Sequence, residues 1–140
     1  MCIRDSSITW QGRTAQMVGA IPGDAVMQAR PVGRGYVQLQ DTGALPWGEP
    51  DAVLRGHEFH HSSLQNLEPG VRFAYRVQRG HGVDGVHDGV LVHNVLASYA
   101  HLRSAAGTGW VPRFVDHVRR LRGGTGTTRP ATPVAKACAC

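Results

Sequence analysis

The sequence predicts a strand-rich domain that ends in a single helix. Glycine accounts for 18 of the 140 residues, a proportion typical of short elements joined by many tight turns. Residues 71–78 alternate apolar and polar side chains, which is the pattern of a strand with one buried face. Residues 110–121 instead repeat their apolar side chains at helical spacing. These observations favour strands over most of the chain and a helix near its C-terminal end.

The first forty residues predict three short strands that follow one another as a meander. The first strand is predicted from the apolar side chains at residues 8–10 and 17–21, and it closes in a turn at residues 22–24, where Pro, Gly and Asp stand together. The second covers residues 25–30 and stops at Pro31, and the third covers residues 36–40.

Loops and further strands alternate over the rest of the chain. Residues 41–51 hold two glycines and two prolines around Trp47, which predicts a loop held in place by the tryptophan. Residues 79–89 contain four glycines but lack the Lys and the following helix of a phosphate-binding loop, so a hairpin connection is predicted there. The remaining predictions are strands at 52–60, 71–78, 90–92 and 94–102, turns at 62–70, and the helix at 110–121.

Charge and cysteine placement exclude several classes of protein. The net charge is +5, but 14 of the 15 cations are arginines scattered along the chain, which does not form the basic patch of a nucleic-acid-binding surface. The three cysteines, Cys2, Cys138 and Cys140, stand at the chain ends, where neither a disulfide framework nor a zinc site fits. No apolar run approaches the length of a membrane span or of a signal peptide core. We therefore expect a cytoplasmic protein that binds neither nucleic acid nor membrane.

The densest concentration of ionisable side chains lies at residues 55–62, which read Arg-Gly-His-Glu-Phe-His-His-Ser. In an extended strand the side chains alternate between two faces, so His57 and His61 point away from Glu58 and His60. A metal site needs its ligands on one side, and this alternation argues against one. These residues alone leave open two functions without catalysis: a strand-rich binding domain and a His-rich metal binder.

Several segments resemble, in order, the C-terminal glutaminase domain of cobyrinic or hydrogenobyrinic acid a,c-diamide synthases. The most specific matches are Gly-His-Glu-Phe-His-His-Ser at residues 56–62 and Ala-Ser-Tyr-Ala-His-Leu at residues 97–102. The resemblance covers residues 8–122 and implies an α/β fold, the strand-rich C-terminal part of a flavodoxin-like class I glutamine amidotransferase domain. We expect residues 1–7 to be a leader foreign to this domain and residues 123–140 to be a disordered tail.

The resemblance also implies a reaction. In this family a cysteine on a strand-to-helix elbow attacks the side-chain amide of glutamine, and a histidine that falls on His101 activates the cysteine by forming the thiolate. Many class I amidotransferases have an acidic residue two positions after this histidine, whereas Arg103 stands there in this sequence. Cys2 lacks the following glycines that the elbow needs, so we expect the nucleophile to lie upstream and the chain to be inactive alone.

The resemblance implies that the motif around His57 supports the glutaminase site or forms the face that passes ammonia onward. The members of this motif are Gly56, His57, Glu58, His60 and Ser62. The resemblance further implies glutamine and a corrin as substrates, with ATP and Mg²⁺ bound by a synthetase domain of the same protein. It implies no metal ligand within this chain. It leaves open a homodimer and whether the corrin carries cobalt.

Overall fold

The computed structural model describes residues 5–103 and 109–123, and these residues form two β-sheets and a C-terminal helix. The elements in chain order are β1 (Asp5–Trp10), β2 (Arg13–Gln16), β3 (Ile21–Met27), β4 (Gly33–Asp41), β5 (Val53–His60), β6 (Ser62–Gln65), β7 (Arg72–Arg79), β8 (His87–Val92), β9 (Val95–Ala97), β10 (His101–Leu102) and α1 (Trp110–Gly123). The predicted strand-rich α/β class with one C-terminal helix is therefore confirmed.

The two sheets differ in strand direction. The larger sheet has six strands in the order β10-β5-β4-β7-β8-β9, and every neighbouring pair runs antiparallel. The smaller sheet has four strands in the order β2-β1-β3-β6, and its central pair, β1 and β3, runs parallel. The short strand β10 pairs with β5 alone and lies at one edge of the larger sheet. This pairing places two segments that are about forty residues apart in the sequence side by side.

Two hydrophobic clusters form the core, and only the second of them joins the two sheets. One is centred on Val37, Leu39 and Leu54 of β4 and β5, and the other on Ile21 and Val90 of β3 and β8. Successive residues of a strand point to opposite faces, so burying these side chains turns their neighbours toward solvent. Burial of each such side chain contributes roughly 1.5–3 kcal/mol. The opposite face of β4 and β5 is left open, and the candidate site lies there.

The clearest sequence patterns correspond to elements of the structure. The predicted strand at 52–60 corresponds to β5, and the one at 71–78 corresponds to β7. Residues 36–40 lie within β4, and the predicted helix at 110–121 extends to Gly123 as α1. Long periodic segments with one buried face carry the strongest local signal, which explains this agreement.

Several predicted positions of strands and turns are wrong. Residues 17–20 are not in a strand, and the predicted meander is not formed, because its second and third strands fall in β3 and β4, which belong to different sheets. The turn predicted at 22–24 lies inside β3, because Pro22 and Gly23 fall where the register with β1 shifts and the ladder is interrupted, a place that tolerates both residues. The segment predicted as turns at 62–70 begins with β6, which pairs with β3 and buries Leu64. The strand predicted at 94–102 is divided into β9 and β10 by a bend.

The two predicted terminal segments are only partly within the described residues. Strand β1 begins at Asp5, inside the segment predicted as a leader, and Ser7 donates a hydrogen bond to the Asp24 carboxylate at 2.7 Å. Residues 5–7 are therefore part of the smaller sheet. Residues 1–4 and 124–140, which include the three cysteines and nearly all of the predicted tail, lie outside the described residues. In the described ranges no helix has the length and apolar character that crossing a bilayer requires.

Candidate active site around His101

His101 lies at the open edge of the larger sheet, directly opposite His57. The two residues are register partners on β10 and β5, and their imidazole rings stack with centroids 5.0 Å apart and planes inclined by 25°. The next pair in the register is Leu102 and Gly56. A Cβ atom on Gly56 would lie 2.6 Å from the His101 carbonyl oxygen, so β10 can approach β5 this closely only because residue 56 is glycine.

A broad open cavity of about 860 Å³ covers the face of the sheet that carries His57 and His101. Most of the surrounding side chains are aromatic or cationic, and Tyr36 and Phe59 are 79% and 57% exposed. Cavities of this size can admit a small substrate. The other residues that line it are Arg34, Gly35, Arg55, Gly56, Glu58, Leu102 and Arg103.

The opposite face of β5 carries Glu58 and His60, both buried, whereas His57 and Phe59 are exposed. The alternation predicted from the sequence is thus confirmed. Glu58 accepts hydrogen bonds from the backbone N–H groups of His81 at 2.7 Å and Gly82 at 2.9 Å. These bonds compensate for burying the carboxylate and hold the start of the loop at residues 79–89 against β5.

The same bonds limit how the glycine-rich loop at residues 79–89 could bind the phosphates of a nucleotide. A phosphate-binding loop offers free backbone N–H groups to the anion. Here the N–H groups of His81 and Gly82 already bind the carboxylate of Glu58 within the same chain. These two N–H groups are therefore not available to a phosphate. Further along the loop, burial raises the pKa of Asp84, but hydrogen bonds from the His87 ring and from the N–H groups of Val86 and His87 together outweigh it, so the pKa lies below its usual value.

His60 connects β5 to the segment that precedes His101. Its Nδ1 donates to the Ser62 carbonyl oxygen at 2.8 Å, because a carbonyl can only accept, and its Nε2 lies 3.5 Å from Oε2 of Glu58. The His60 ring stacks on Tyr99 with centroids 3.9 Å apart, and the hydroxyls of Tyr99 and Ser62 are hydrogen bonded at 2.8 Å. Glu58, His60 and Ser62 therefore form a buried network behind the exposed face, an arrangement that favours a supporting role.

Asp88 is a site residue that sequence reasoning missed. It is fully buried and accepts hydrogen bonds from the Ser98 hydroxyl at 2.7 Å and from the backbone N–H groups of Tyr99 at 3.1 Å and Ala100 at 2.9 Å. These three residues form the bend immediately before His101. The available signal was an isolated acid beside the apolar strand at 90–92, which our prediction treated as part of a polar hairpin loop. Asp88 fixes the direction in which the chain enters β10.

The structure brings the predicted site residues together in two groups. His57 and His101 share the open face with Gly56 beneath them, and Glu58, His60 and Ser62 lie on the buried face. Within residues 5–103 and 109–123 no three His, Cys, Asp or Glu side chains are close enough together to hold a metal ion.

His101 lies at a strand edge beside an open cavity and in front of a buried polar network, where an imidazole could reach a substrate and act on a proton. The chain belongs to the CobB/CobQ-like glutamine amidotransferase domain family, whose model matches residues 3–108. The resemblance seen in the sequence is thereby confirmed.

Two similar proteins have the same name, cobyrinate a,c-diamide synthase. The chain is 43% identical over 123 residues to the cobyrinate a,c-diamide synthase of Magnetococcus marinus, a match that covers 88% of this chain and 26% of that protein. It is 41% identical over 102 residues to the enzyme of the same name from Halobacterium salinarum, covering 73% of this chain and 23% of the relative. The chain thus spans about a quarter of the length of these relatives.

Proposed function

We propose that this chain is the C-terminal part of the glutamine-hydrolysing domain of an ATP-dependent amidoligase. The enzyme would convert the a and c carboxylates of cobyrinic or hydrogenobyrinic acid into amides in cobalamin biosynthesis. The observation that carries the proposal is the position of His101, exposed at the mouth of a cavity and preceded by a bend that a buried carboxylate holds. The names of the relatives supply the corrin substrate.

His101 acts on protons in this reaction. It removes the proton from a cysteine thiol contributed from outside the described residues, and the thiolate attacks the side-chain carbonyl carbon of glutamine. The same imidazolium then gives its proton to the departing ammonia, and water hydrolyses the resulting thioester to release glutamate. Ammonia passes to the corrin carboxylate in the synthetase domain. ATP and Mg²⁺ would be bound in that domain.

The proposal predicts that glutamine hydrolysis by the full-length protein depends on His101. His101→Ala should lower kcat by about 100-fold or more, which is the usual contribution of a general base. The measurement is glutamate release under saturating glutamine. A matched control is His93→Asn, because His93 is exposed on the turn at the opposite edge of the sheet and its φ of 51° suits asparagine. A His101→Ala enzyme with normal kcat would contradict the assignment.

The same assay tests the two further parts of the proposal. The isolated 140-residue chain should release no glutamate, and activity that disappears on His101→Ala would show that the chain carries its own nucleophile. With the full-length protein, ATP-dependent amidation of cobyrinic acid or of metal-free hydrogenobyrinic acid should be detectable by mass spectrometry. Glutaminase activity without amidation of either acid would keep the half-site and reject the corrin as its acceptor.

A further inference from the structure

We propose that His57 is the positioning residue for His101, holding the catalytic imidazole by ring stacking instead of by a hydrogen bond to a carboxylate. The inference rests on the proposed role of His101. Its observation is the cross-strand pair, in which the two rings lie 5.0 Å apart and are inclined by only 25°. Side chains directly opposite on neighbouring antiparallel strands are close enough to orient one another.

The ring of His101 has no competing partner in the described part of the chain. No carboxylate, hydroxyl or amide among residues 5–103 and 109–123 forms a hydrogen bond with it, and its ring contact is with His57. In a catalytic histidine, the N–H group of the second ring nitrogen ordinarily donates a hydrogen bond to an acidic group, and this bond fixes the orientation of the ring. Arg103, two positions later, is a donor with no acceptor atom in its side chain and cannot serve in this way.

Backbone pairing alone leaves the ring of His101 free to rotate. Strand β10 contains two residues and has β5 as its neighbour, so the register fixes the Cα position but not the side-chain torsion angles. His57 lies on a better supported strand, because β5 is paired on both sides and His57 is also the register partner of Tyr36 on β4. A flat ring anchored on β5 therefore limits the orientations available to the ring on β10.

Stacking needs a flat ring but no exchangeable proton, which separates this role from acid–base chemistry or ammonia transfer by His57. In the full-length protein we compare His57→Phe with His57→Leu, since phenylalanine keeps the ring and leucine keeps an apolar side chain without it. His57→Leu should lower kcat for glutamine hydrolysis by about 10- to 100-fold, the cost of misplacing a catalytic group by about an ångström. KM for glutamine should change little, and His57→Phe should recover most of kcat.

An NMR measurement reads the same contact without relying on catalysis. With selectively ¹³C-labelled histidine, the ring protons of His101 should show a ring-current shift that His57→Phe retains and His57→Leu abolishes. The His101 signals are assigned by their disappearance in His101→Ala. His93→Asn is the control that should leave both kcat and the His101 signals unchanged.

Each outcome decides the proposal. If His57→Phe is as inactive as His57→Leu, His57 acts through its own nitrogen atoms and the stacking role is rejected. If His57→Leu leaves kcat and the His101 shift unchanged, the contact has no positioning effect and the proposal is overturned. If the His101 shift depends on His57 while His101→Ala remains fully active, the contact is real and it is the proposed function that fails.

Discussion

At the scale of single residues, buried carboxylates organise the loops of this protein. Asp41 accepts backbone N–H bonds from Gly43 at 2.7 Å and Glu49 at 2.9 Å, and Glu58 and Asp88 likewise bind N–H groups of the loops that they contact. A buried charge is tolerated when such donors compensate for lost hydration. Asp5 is the exception, because it is fully buried and neither of its oxygens has a hydrogen-bond partner among the described residues.

Asp5 should make the stability of the chain depend on pH. Burial raises the pKa of its carboxyl from 3.8 to about 6, so the folded protein favours the neutral acid. The stabilising contribution is complete below pH 3.8 and is lost as the pH rises to about 6, because the unfolded chain ionises first. Asp5→Asn should therefore stabilise the chain at pH 7 relative to the unsubstituted protein, and less so at pH 4.

The measurement for Asp5 is the urea midpoint of the 140-residue chain at both pH values. Glu68→Gln is the control, because Glu68 is exposed and its substitution should leave the pH dependence unchanged. Equal midpoints for Asp5→Asn and the unsubstituted chain at pH 7 would show that the ionised carboxylate of Asp5 does not lower the stability of the folded chain.

At the scale of elements, the bend between β9 and β10 depends on Asp88. Asp88→Ala would leave two buried backbone N–H groups, those of Tyr99 and Ala100, without an acceptor, at about 1–3 kcal/mol each. We expect the free energy of unfolding to fall by roughly 2–4 kcal/mol. Asp88→Asn keeps one accepting oxygen and should lose less. Urea unfolding measures both substitutions, with Asp116→Asn on the exposed Asp116 as the control. An Asp88→Ala chain of normal stability would show that Asp88 does not hold the bend.

Sequence periodicity predicted β7 and α1 because each has one apolar face that a local pattern reveals. It could not predict the bend at residues 98–100, since the acceptor for that backbone is the carboxylate of Asp88, ten or more positions away. For the same reason the turn expected at Pro22 and Gly23 was wrong: whether these residues end a strand or occupy an irregularity within it depends on the pairing with β1.

At the scale of the whole molecule, α1 is held against the larger sheet mainly through the loop at 41–51. Trp47 packs edge-to-face on Phe114 with centroids 5.0 Å apart and also contacts the ring of His117, and Arg113 forms an ion pair with Glu49 at 2.6 Å. No residue of α1 is fully buried. The predicted role of Trp47 as a fixed point of the loop thus extends to the docking of the helix.

Trp47→Ala should therefore loosen the helix more than the sheet. Loss of a half-buried tryptophan and its aromatic contacts should cost about 2 kcal/mol. Hydrogen exchange should accelerate in the amides of α1 and change little in those of β4 and β5. Trp10→Ala is the matched control, because Trp10 is 61% exposed. Uniform acceleration throughout the chain would mean that Trp47 supports the core as a whole.

The candidate site as a whole was only partly predictable. Residue types and motif order pointed to His101 and to the segment around His57, and strand alternation separated Glu58 and His60 from His57. The contact between His57 and His101 could not be predicted, because it depends on β10 pairing with β5 across 44 positions of sequence. Such long-range pairings carry no local periodic signal.

The glycine at position 56 has a consequence for how this region tolerates insertions and deletions. Side chains on a strand alternate, so a slip of β10 by one residue would place Leu102 opposite His57 and turn His101 to the other face. The missing Cβ of Gly56 accommodates the His101 carbonyl in one alignment, and the short connection from β9 sets which residue arrives there. The length of that connection is thus constrained more strictly than its composition: a substitution can weaken the site, whereas a single deletion exchanges imidazole for an alkyl group.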